Sequence, residues 1–298
     1  MRVLVTGGAG RLGRSVVASL VASGHGVVSL DREQRDDLAA EQLAVDLADA
    51  RATAAAFDRV RPDAVVHLAA IADPFSRPEL EIYLTNTTLM ANVLDATLRS
   101  GTGALLVASS PTVIGYGRPA GWTPSYLPLD EGHPLEPWHG YAAAKEAIEK
   151  LVAMAARRHG DAAQFGVFRP CYVIAPEEWQ GAPTQQGHTV AERLADPALA
   201  APALFNYLDA RDAGDFVLAW LAAVGGPPNG ACYFVGAADA LATAPLSELL
   251  PRYLPGLATV DSPAAALTGT APAFDCSLAE RHLGWTAKRS WRTELARH

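Results

Sequence analysis

The sequence predicts an α/β protein built on a doubly wound parallel sheet with a small C-terminal lobe. Three observations support this fold class. Short, almost wholly apolar runs alternate with helix-length segments in the first part of the chain, which is typical of parallel strands covered on both faces. A glycine cluster separates the first of these runs from the first helix. After about residue 175, prolines multiply and the periodicity weakens.

The elements follow one another as strand, helix, strand from the start of the chain. Strands are expected at 2–6, 27–31, 43–46, 64–69, 104–109 and 165–169, and helices at 14–22, 49–60, 79–100 and 141–159. The expected division is a dinucleotide-binding domain at 1–175 and a substrate-binding lobe at 176–298, whose chain crosses back to the sheet near 205–236. Such a lobe would cover the carboxyl edge of the sheet, where open α/β sheets bind ligands.

The composition of the chain excludes several classes of partner. Its 298 residues are 50% hydrophobic and 19% charged, with a formal net charge of −8. This acidic balance argues against nucleic acid and anionic membranes as partners. The three cysteines form no CxxC pair and indicate a reducing compartment, so we expect a cytoplasmic protein. No metal site is predicted, because the histidines lack metal-ligand spacing.

The glycine cluster has the spacing of a phosphate-binding turn. Residues 6–13 read TGGAGRLG, which contains GxGxxG between a strand and a helix. Gly7 would form the tight turn, Gly10 would let the backbone approach a pyrophosphate, and Gly13 would let the helix pack closely on the strand. The acidic Asp31 ends the second strand. Together these features predict a Rossmann-type dinucleotide site.

Asp31 favours NAD over NADP, because a carboxylate there accepts hydrogen bonds from the adenosine ribose. Arg32 follows it directly, and Arg11 and Arg14 stand in the glycine turn. Any of these arginines could bind a 2′-phosphate instead, so NADP stays an alternative. Asp46, with Leu47, is placed to flank the adenine, or else it is a turn residue or helix cap.

Tyr141 and Lys145 lie at positions i and i+4 of a predicted helix and therefore share a face. They follow a strand ending in Ser109 and Ser110 by about 30 residues. The chain carries, in order, the motifs TGGAGRLG at 6–13, HLAA at 67–70, VASSPTVIG at 107–115, YAAAK at 141–145, FRPCYVIAP at 168–176, YLDARDAGDF at 207–216 and FDCSLAERHLGW at 274–285. Together these motifs, which cover nearly the whole chain, resemble the extended short-chain dehydrogenase/reductases, the NAD-dependent epimerases and dehydratases.

This resemblance implies a catalytic group of Ser110, Tyr141 and Lys145. Tyr141 would be the general acid/base, Lys145 would stabilise its phenolate and bond the nicotinamide ribose, and Ser110 would polarise the substrate oxygen. Ser109 is the alternative to Ser110. Asn86 would lie near the active site, or else on a helix surface. The full set of predicted cofactor-binding residues is Gly7, Gly10, Arg11, Leu12, Gly13, Asp31, Arg32, Asp46, Leu47, Leu68, Ala69, Ala70, Asn86, Tyr141, Lys145, Pro170, Cys171 and Val173.

The predicted substrate-binding residues are Ser110, Thr112, Tyr172 and Arg211. Thr112 stands where sugar dehydratases of the family carry an acidic residue, which disfavours water elimination. Tyr172 replaces the asparagine usual in nucleotide-sugar epimerases, and Phe205-Asn206 replace an Arg-Asp that would hold a diphosphate. Arg211 either substitutes for that arginine or is a solvated side chain.

The expected function is an NAD(P)-dependent oxidoreductase that moves hydride to or from a secondary alcohol or ketone of a small molecule. A sugar, a sugar acid or a natural-product scaffold would fit. One alternative is a nucleotide-sugar 4-epimerase of the UDP-hexose type that keeps NAD tightly bound. Another is a non-catalytic NAD(P)-sensing protein. A loop with Trp122, Tyr126, Trp138 and His139 either covers the substrate or packs internally. Helices 79–100 and 141–159 correspond to a dimer surface in many relatives, so we expect a homodimer.

Overall fold

A seven-stranded parallel sheet forms the centre of the protein, with the spatial order β3-β2-β1-β4-β5-β6-β9. The computed structural model describes residues 1–119, 121–258 and 262–297. The strands are β1 (Arg2–Thr6), β2 (Gly26–Asp31), β3 (Glu41–Ala44), β4 (Ala64–His67), β5 (Ala104–Ala108), β6 (Gln164–Pro170), β7 (Val173–Ile174), β8 (Leu208–Asp209) and β9 (Ala231–Val235).

Helices cover both faces of this sheet, which makes the fold doubly wound. They are α1 (Arg11–Ala22), α2 (Ala50–Val60), α3 (Glu79–Ser100), α4 (Gly140–His159), α5 (Pro176–Trp179), α6 (Val190–Ala195), α7 (Ala210–Ala222), α8 (Leu246–Tyr253), α9 (Ser277–Leu283) and α10 (Trp291–Glu294). Helices α1 and α7 pack together on one face, and α2, α3 and α4 share the core of the other. The predicted fold class is confirmed.

Each central strand contributes side chains to two separate cores, because successive residues of a strand point to opposite faces. In β1, Val3 and Val5 belong to the core beneath α1 and α7. Leu4, between them, belongs to the core beneath α2, α3 and α4. All three are fully buried. A strand buried on both faces must be apolar throughout, which explains the continuous apolar runs in the sequence.

The order of the strands places a ligand crevice at the carboxyl end of β1. The chain runs outward from β1 through β2 to β3 and then returns to β4, on the other side of β1. In open α/β sheets, ligands bind outside the carboxyl ends of the strands at such a switch point. The glycine turn after β1 and the segment after β4 therefore border one crevice.

The third strand lies earlier in the chain than predicted. It spans Glu41–Ala44 rather than 43–46 and is an edge strand with no fully buried residue. No apolar run marks its start, because it begins with Glu41 and Gln42. Asp46 falls in the turn that follows, where its carboxylate accepts a hydrogen bond from the Ala48 N–H at 2.9 Å.

The chain after β6 forms a second, smaller sheet and then returns to the first. Strands β7 and β8 pair in parallel through Val173↔Leu208 and Ile174↔Asp209. The last strand, β9, pairs with β6 at the edge of the main sheet. The division at residue 175 stays a prediction, and its second segment includes 259–261 and 298, which lie outside the described residues. Within the described ranges, no helix has the length and hydropathy to cross a membrane.

We predict that Gly13→Ala destabilises the protein and weakens dinucleotide binding. A Cβ at Gly13 would overlap the Gly7 carbonyl oxygen and lie 2.7 Å from the Gly8 Cα, both of them backbone atoms. Backbone cannot rotate away, so the free energy of unfolding should fall by about 1–3 kcal/mol. Denaturant unfolding and NAD titration measure the two effects. Gly103→Ala is the control, since its nearest contact would be 3.8 Å away; equal unfolding curves for the two variants would refute the prediction.

Candidate active site

The glycine turn presents the amino end of α1 to the crevice. Gly7 adopts a positive φ of 74°, and its N–H donates to the Leu30 carbonyl oxygen at 2.9 Å. An added Cβ at Gly7 would lie 2.7 Å from the Ala69 nitrogen, so the turn packs directly on the segment after β4. Gly10 precedes the helix and offers no side-chain cap. The first-turn N–H groups of α1 are thus available for an anion.

Asp31 is held against this turn at the end of β2. One carboxylate oxygen accepts a hydrogen bond from the Ala9 N–H at 3.2 Å. The other accepts from the Arg32 N–H at 2.7 Å. The carboxylate therefore stands beside the turn, where an adenosine ribose would lie, while the Arg32 side chain is exposed.

Two arginines at the start of α1 are paired with acidic residues of α5. Arg11 forms an ion pair with Glu178, which is 3% exposed, and Arg14 forms one with Glu177. Burial raises the pKa of Glu178, while the Arg11 charge opposes that rise. These arginines are consequently less available to a 2′-phosphate than the sequence suggested.

Asn86 shapes the crevice from below. It is 1% exposed on α3, and its amide bonds both backbone groups of Ile71, at 2.8 and 3.1 Å. This clamp fixes the backbone at Ile71, directly after the HLAA segment at 67–70. Leu47, in contrast, is 4% exposed and packs in the core beneath α2 and α3, away from the crevice.

Lys145 and Tyr141 come together on α4 as their spacing predicted. The Lys145 ammonium lies 5.7 Å from the centroid of the Tyr141 ring. It donates a hydrogen bond of 2.7 Å to the carbonyl oxygen of Ala108, the last residue of β5. Ser110 follows two residues later, and its hydroxyl lies 2.9 Å from that of Thr112. Three predicted groups therefore meet at the carboxyl edge of the sheet.

Burial dominates the electrostatics of these groups. It raises the pKa of Tyr141 to about 12, while Ser110 acts to lower it. It lowers the pKa of Lys145 to about 8, against the pull of the Glu149 carboxylate. It lowers the pKa of His67 to about 3, and the Lys145 charge adds to that effect. In the ligand-free protein, Tyr141 is therefore a neutral acid at neutral pH.

Ser109 and Ser110 have different environments. The Ser109 hydroxyl donates to Glu149 at 2.5 Å. The same carboxylate receives two hydrogen bonds of 2.8 Å from Arg169, which is 3% exposed. Ser109 is thereby bound to a buried ion pair, whereas the Ser110 hydroxyl contacts Thr112 and acts on the pKa of Tyr141. This difference favours Ser110 as the group that contacts substrate.

His67 also lies in the site, although the sequence motifs did not single out its side chain. It ends β4, is 2% exposed, and contacts the Thr6 hydroxyl through Nδ1 at 2.7 Å. Its Nε2 is buried, with no hydrogen-bond partner among the described residues. The HLAA motif at 67–70 contains this residue, but His67 is not among the predicted site residues.

Tyr116 is a second missed residue, directly after the motif that ends at Gly115. Its pKa is raised mainly by burial, with the Tyr141 charge adding to the rise and the Asn206 side chain opposing it. The Asn206 amide oxygen also accepts the Tyr172 N–H at 2.7 Å. Tyr116 and Asn206 thus connect Tyr141 to the segment after β6.

A row of aromatic rings leads from Tyr141 to the surface. The His139 ring is stacked near that of Tyr141 at 6.1 Å, and Trp138 lies 4.8 Å from His139. Phe75 is 5.7 Å from His139 and 69% exposed. His139 also caps α4 by accepting the Ala142 N–H at 3.1 Å. These rings form one wall beside the predicted proton donor.

The other two aromatics of the loop are packed internally. Trp122 is 6% exposed and lies 6.3 Å from the Tyr116 ring and 5.8 Å from His133. Tyr126 donates its hydroxyl to Asp130 at 2.6 Å. For these two residues, the structure favours the packing role that the sequence left open.

The residues after β6 form the boundary between the sheet and the lobe. Cys171 is 2% exposed, and burial raises the pKa of its thiol well above the usual range, so it is a packing residue. Val173 lies in β7, and its carbonyl oxygen is 3.5 Å from the Arg11 guanidinium. Pro170 ends β6.

Arg211 is already neutralised by two carboxylates. Its guanidinium bonds Asp209 at 2.9 and 2.6 Å and Glu294 at 2.6 Å. Its charge is thus compensated, although the side chain stays 32% exposed. The prediction that Arg211 substitutes for the missing arginine at 205–206 therefore finds no support in this geometry.

A sequence model described as the NAD dependent epimerase/dehydratase family matches residues 3–236. The chain belongs to this family. It is 32% identical over 167 residues to a UDP-glucose 4-epimerase of Azospirillum brasilense, covering 53% of this chain and 46% of that protein. It is 31% identical over 168 residues to the one of Lactobacillus helveticus, covering 54% and 48%. The chain thus spans about half the length of the curated relatives it matches.

Solved structures of the superfamily share the fold over nearly the whole chain. A UDP-glucose-4-epimerase from Stenotrophomonas maltophila, with bound NAD and formylated UDP-arabinopyranose, has a TM-score of 0.74 at 21% identity and covers 99% of this chain and 96% of its own. A short-chain dehydrogenase/reductase superfamily protein from Agrobacterium tumefaciens, with bound NAD, has a TM-score of 0.73 at 22% identity and covers 100% and 95%. The predicted family and fold are confirmed.

We predict that Lys145→Met changes the pH dependence of stability. Burial lowers the pKa of Lys145 from 10.5 to about 8. Below pH 8 the folded protein therefore holds a buried ammonium, which costs unfolding free energy. That cost is relieved as pH rises from 8 to 10.5, because the unfolded chain binds the proton there and the folded chain does not. Over this range, wild type should gain about 3 kcal/mol of unfolding free energy relative to Lys145→Met.

Denaturant unfolding at several pH values measures this difference. Lys150→Met is the matched control, since Lys150 lies on the same helix but its side chain is 73% exposed. A constant difference between wild type and Lys145→Met across the range would contradict the buried charge.

Proposed function

We propose that the protein is an NAD-dependent epimerase that acts on a secondary alcohol of a sugar. The observation that carries the proposal is the meeting of Tyr141, Lys145 and Ser110 at the carboxyl edge of the sheet, beside the glycine turn. A sugar hydroxyl bound between Ser110 and Tyr141 could lose its proton while its carbon loses hydride. The family membership and the similarity to UDP-glucose 4-epimerases support this reading.

The residues of the crevice fit NAD. The uncapped amino end of α1 suits a pyrophosphate, and the Asp31 carboxylate suits the two hydroxyls of an adenosine ribose. A 2′-phosphate would face that carboxylate, while Arg11 and Arg14 are held by Glu178 and Glu177. When bound, NAD would supply the hydride acceptor, and the protein would orient the reacting carbon against it.

Each catalytic side chain has a distinct task in this proposal. Ser110 donates a hydrogen bond to the substrate oxygen and thereby fixes its position. Tyr141 accepts the hydroxyl proton as a phenolate and returns it when the ketone is reduced. A phenolate in this buried position needs a positive charge nearby, since burial raises the Tyr141 pKa to about 12 even though Ser110 acts to lower it. Lys145 supplies that charge while its ammonium stays bonded to Ala108.

Net oxidation of a smaller sugar is a second candidate. Phe205 is 1% exposed and packs against the Tyr253 ring at 6.0 Å, and Asn206 holds the Tyr172 backbone. Both residues are therefore used for packing at the place where nucleotide-sugar epimerases of the family carry an Arg-Asp. A substrate without a nucleotide would need no diphosphate contact there.

The two candidates differ in what accumulates. The purified protein is incubated with NAD and with sugars, sugar acids and nucleotide sugars. Reduced cofactor is followed by absorbance and product isomers by chromatography. An isomer without net NADH supports the epimerase. Growth of NADH supports the dehydrogenase. Absence of both with every substrate would contradict each candidate and favour NAD sensing.

A homodimer stays part of the proposal. Helix α3 leaves Leu80 75% exposed and Leu84 61% exposed, four residues apart and therefore on one face. Apolar side chains so exposed on a paired-helix surface are suited to a second copy of the chain.

We predict that Tyr141→Phe lowers kcat by about 100- to 10,000-fold, the usual contribution of a positioned acid or base. The affinity for NAD should change little, because the ring stays in place and only the hydroxyl is lost. Single-turnover rates and NAD titration separate the two quantities. Tyr253→Phe, outside the site, is the control and should keep full activity. Turnover of Tyr141→Phe near the wild-type rate would assign the proton to another group.

We also predict that Asp31→Asn shifts the cofactor preference toward NADP. The substitution removes the negative charge that opposes a 2′-phosphate, so the ratio of the two dissociation constants should change by about 10-fold or more. Fluorescence titration with each reduced cofactor measures this ratio. Glu33→Gln is a suitable control, since it removes one exposed charge two residues away. An unchanged ratio in Asp31→Asn would mean that the ribose lies elsewhere.

A further inference from the structure

Arg193 is a buried cation in the lobe that lacks an anionic partner. It lies on α6 and is 1% exposed. Its guanidinium donates one hydrogen bond, at 2.6 Å, to the amide oxygen of Gln186. Its Nε is buried without a hydrogen-bond partner, and no carboxylate in the described part of the chain forms an ion pair with it. Arg193 therefore differs from Arg11 and Arg211, each of which has a carboxylate partner.

An arginine in this state is energetically unfavourable. Removing a charge from water costs several kcal/mol unless an opposite charge and complete hydrogen bonding compensate. The guanidinium lies over the Tyr172 ring, with Cζ 4.2 Å from the ring centroid. A cation–π contact of this kind, away from water, offsets about 2 kcal/mol of the cost of burying the charge. Gln186 adds only a neutral amide. Arginine does not deprotonate in proteins, so the charge persists.

The position of Arg193 links it to the catalytic group. Its contact, Tyr172, follows β6 at the carboxyl edge of the sheet, and the Tyr172 hydroxyl is also buried without a partner among the described residues. The Tyr172 N–H is held by Asn206. Asn206 and Tyr141 both act on the pKa of Tyr116. The Arg193 Nε and the Tyr172 hydroxyl are thus two buried polar groups without partners among the described residues, on side chains that contact each other.

We infer that Arg193 is the binding residue for an anionic group of the substrate, a carboxylate or a phosphate. This inference rests on the proposed function, since it names the substrate class of the same site. The fork of the guanidinium matches the two oxygens of either anion. The anion would replace the amide oxygen of Gln186, which is an exposed residue of the segment 181–189. The Tyr172 hydroxyl would donate a further hydrogen bond.

Direct binding to the NAD-loaded protein tests the inference without requiring turnover. UDP serves as the phosphate probe, D-glucuronate as the carboxylate probe and D-galactose as the neutral one, each titrated by calorimetry. Arg193→Met should weaken binding of UDP, of glucuronate or of both by about 10- to 100-fold, the loss expected for a charged hydrogen bond. Galactose should be unaffected. The probe whose binding is weakened in Arg193→Met shows whether the anionic group of the substrate is a phosphate or a carboxylate.

The matched control is Arg281→Met, which removes an exposed arginine from the same lobe. Stability provides a separate readout. If Arg193 were only structural, its removal would lower Tm; for an unpaired buried charge, Arg193→Met should leave the Tm of the ligand-free protein unchanged or raised.

The outcomes separate this inference from the proposed function. Anion binding that is lost in Arg193→Met but kept in Arg281→Met supports the inference, even where no turnover is found and the proposed function fails. Turnover of a neutral sugar that Arg193→Met leaves intact supports the function and overturns the inference. Failure of both anions to bind wild type at millimolar concentration, or binding unaltered in Arg193→Met, also overturns it.

Discussion

The hydrogen bond from the Lys145 ammonium to the Ala108 carbonyl oxygen fixes the relation between α4 and the central sheet. A buried cation must have a polar partner, and the open end of β5 provides one. This bond sets Tyr141 one helical turn away, above the crevice, and Glu149 one turn in the other direction, toward Arg169. Tyr141, Lys145 and Glu149 therefore lie on one face of α4.

Two ion pairs hold the last segment of the chain to elements that precede it. Arg289 pairs with Asp212 of α7, and Arg292 pairs with Asp239. The acidic partners are buried, with side chains 1% and 11% exposed, while the arginine side chains are 27% and 36% exposed. Apolar packing accompanies these pairs, since Phe274 and Trp285 belong to the same core as Phe216 of α7. Ion pairing and a shared core therefore act together to fix the last segment of the chain.

The fold could be predicted because its signals are local. A strand such as Arg2–Thr6 must be apolar on both faces, and the turn after it accepts only glycine at Gly7 and Gly13. Tyr141 and Lys145 were predictable from helical spacing. The pairing of Arg11 with Glu178 was not predictable, because the two residues lie far apart in the chain. The burial of Arg193 was not predictable either, because no sequence motif contains it. The bounds predicted for the edge strand Glu41–Ala44 were wrong because its first two residues are polar and none of its residues is fully buried.

The pairing of the glycine turn with α5 has an evolutionary consequence. Arg11 and Arg14 belong to α1, and Glu177 and Glu178 belong to α5, far along the chain. A recombinant that joined this sheet to the corresponding segment of a relative without these acidic residues would leave two arginines unmatched beside the glycine turn. The first turn of α1 and the segment at α5 are therefore expected to co-vary among relatives.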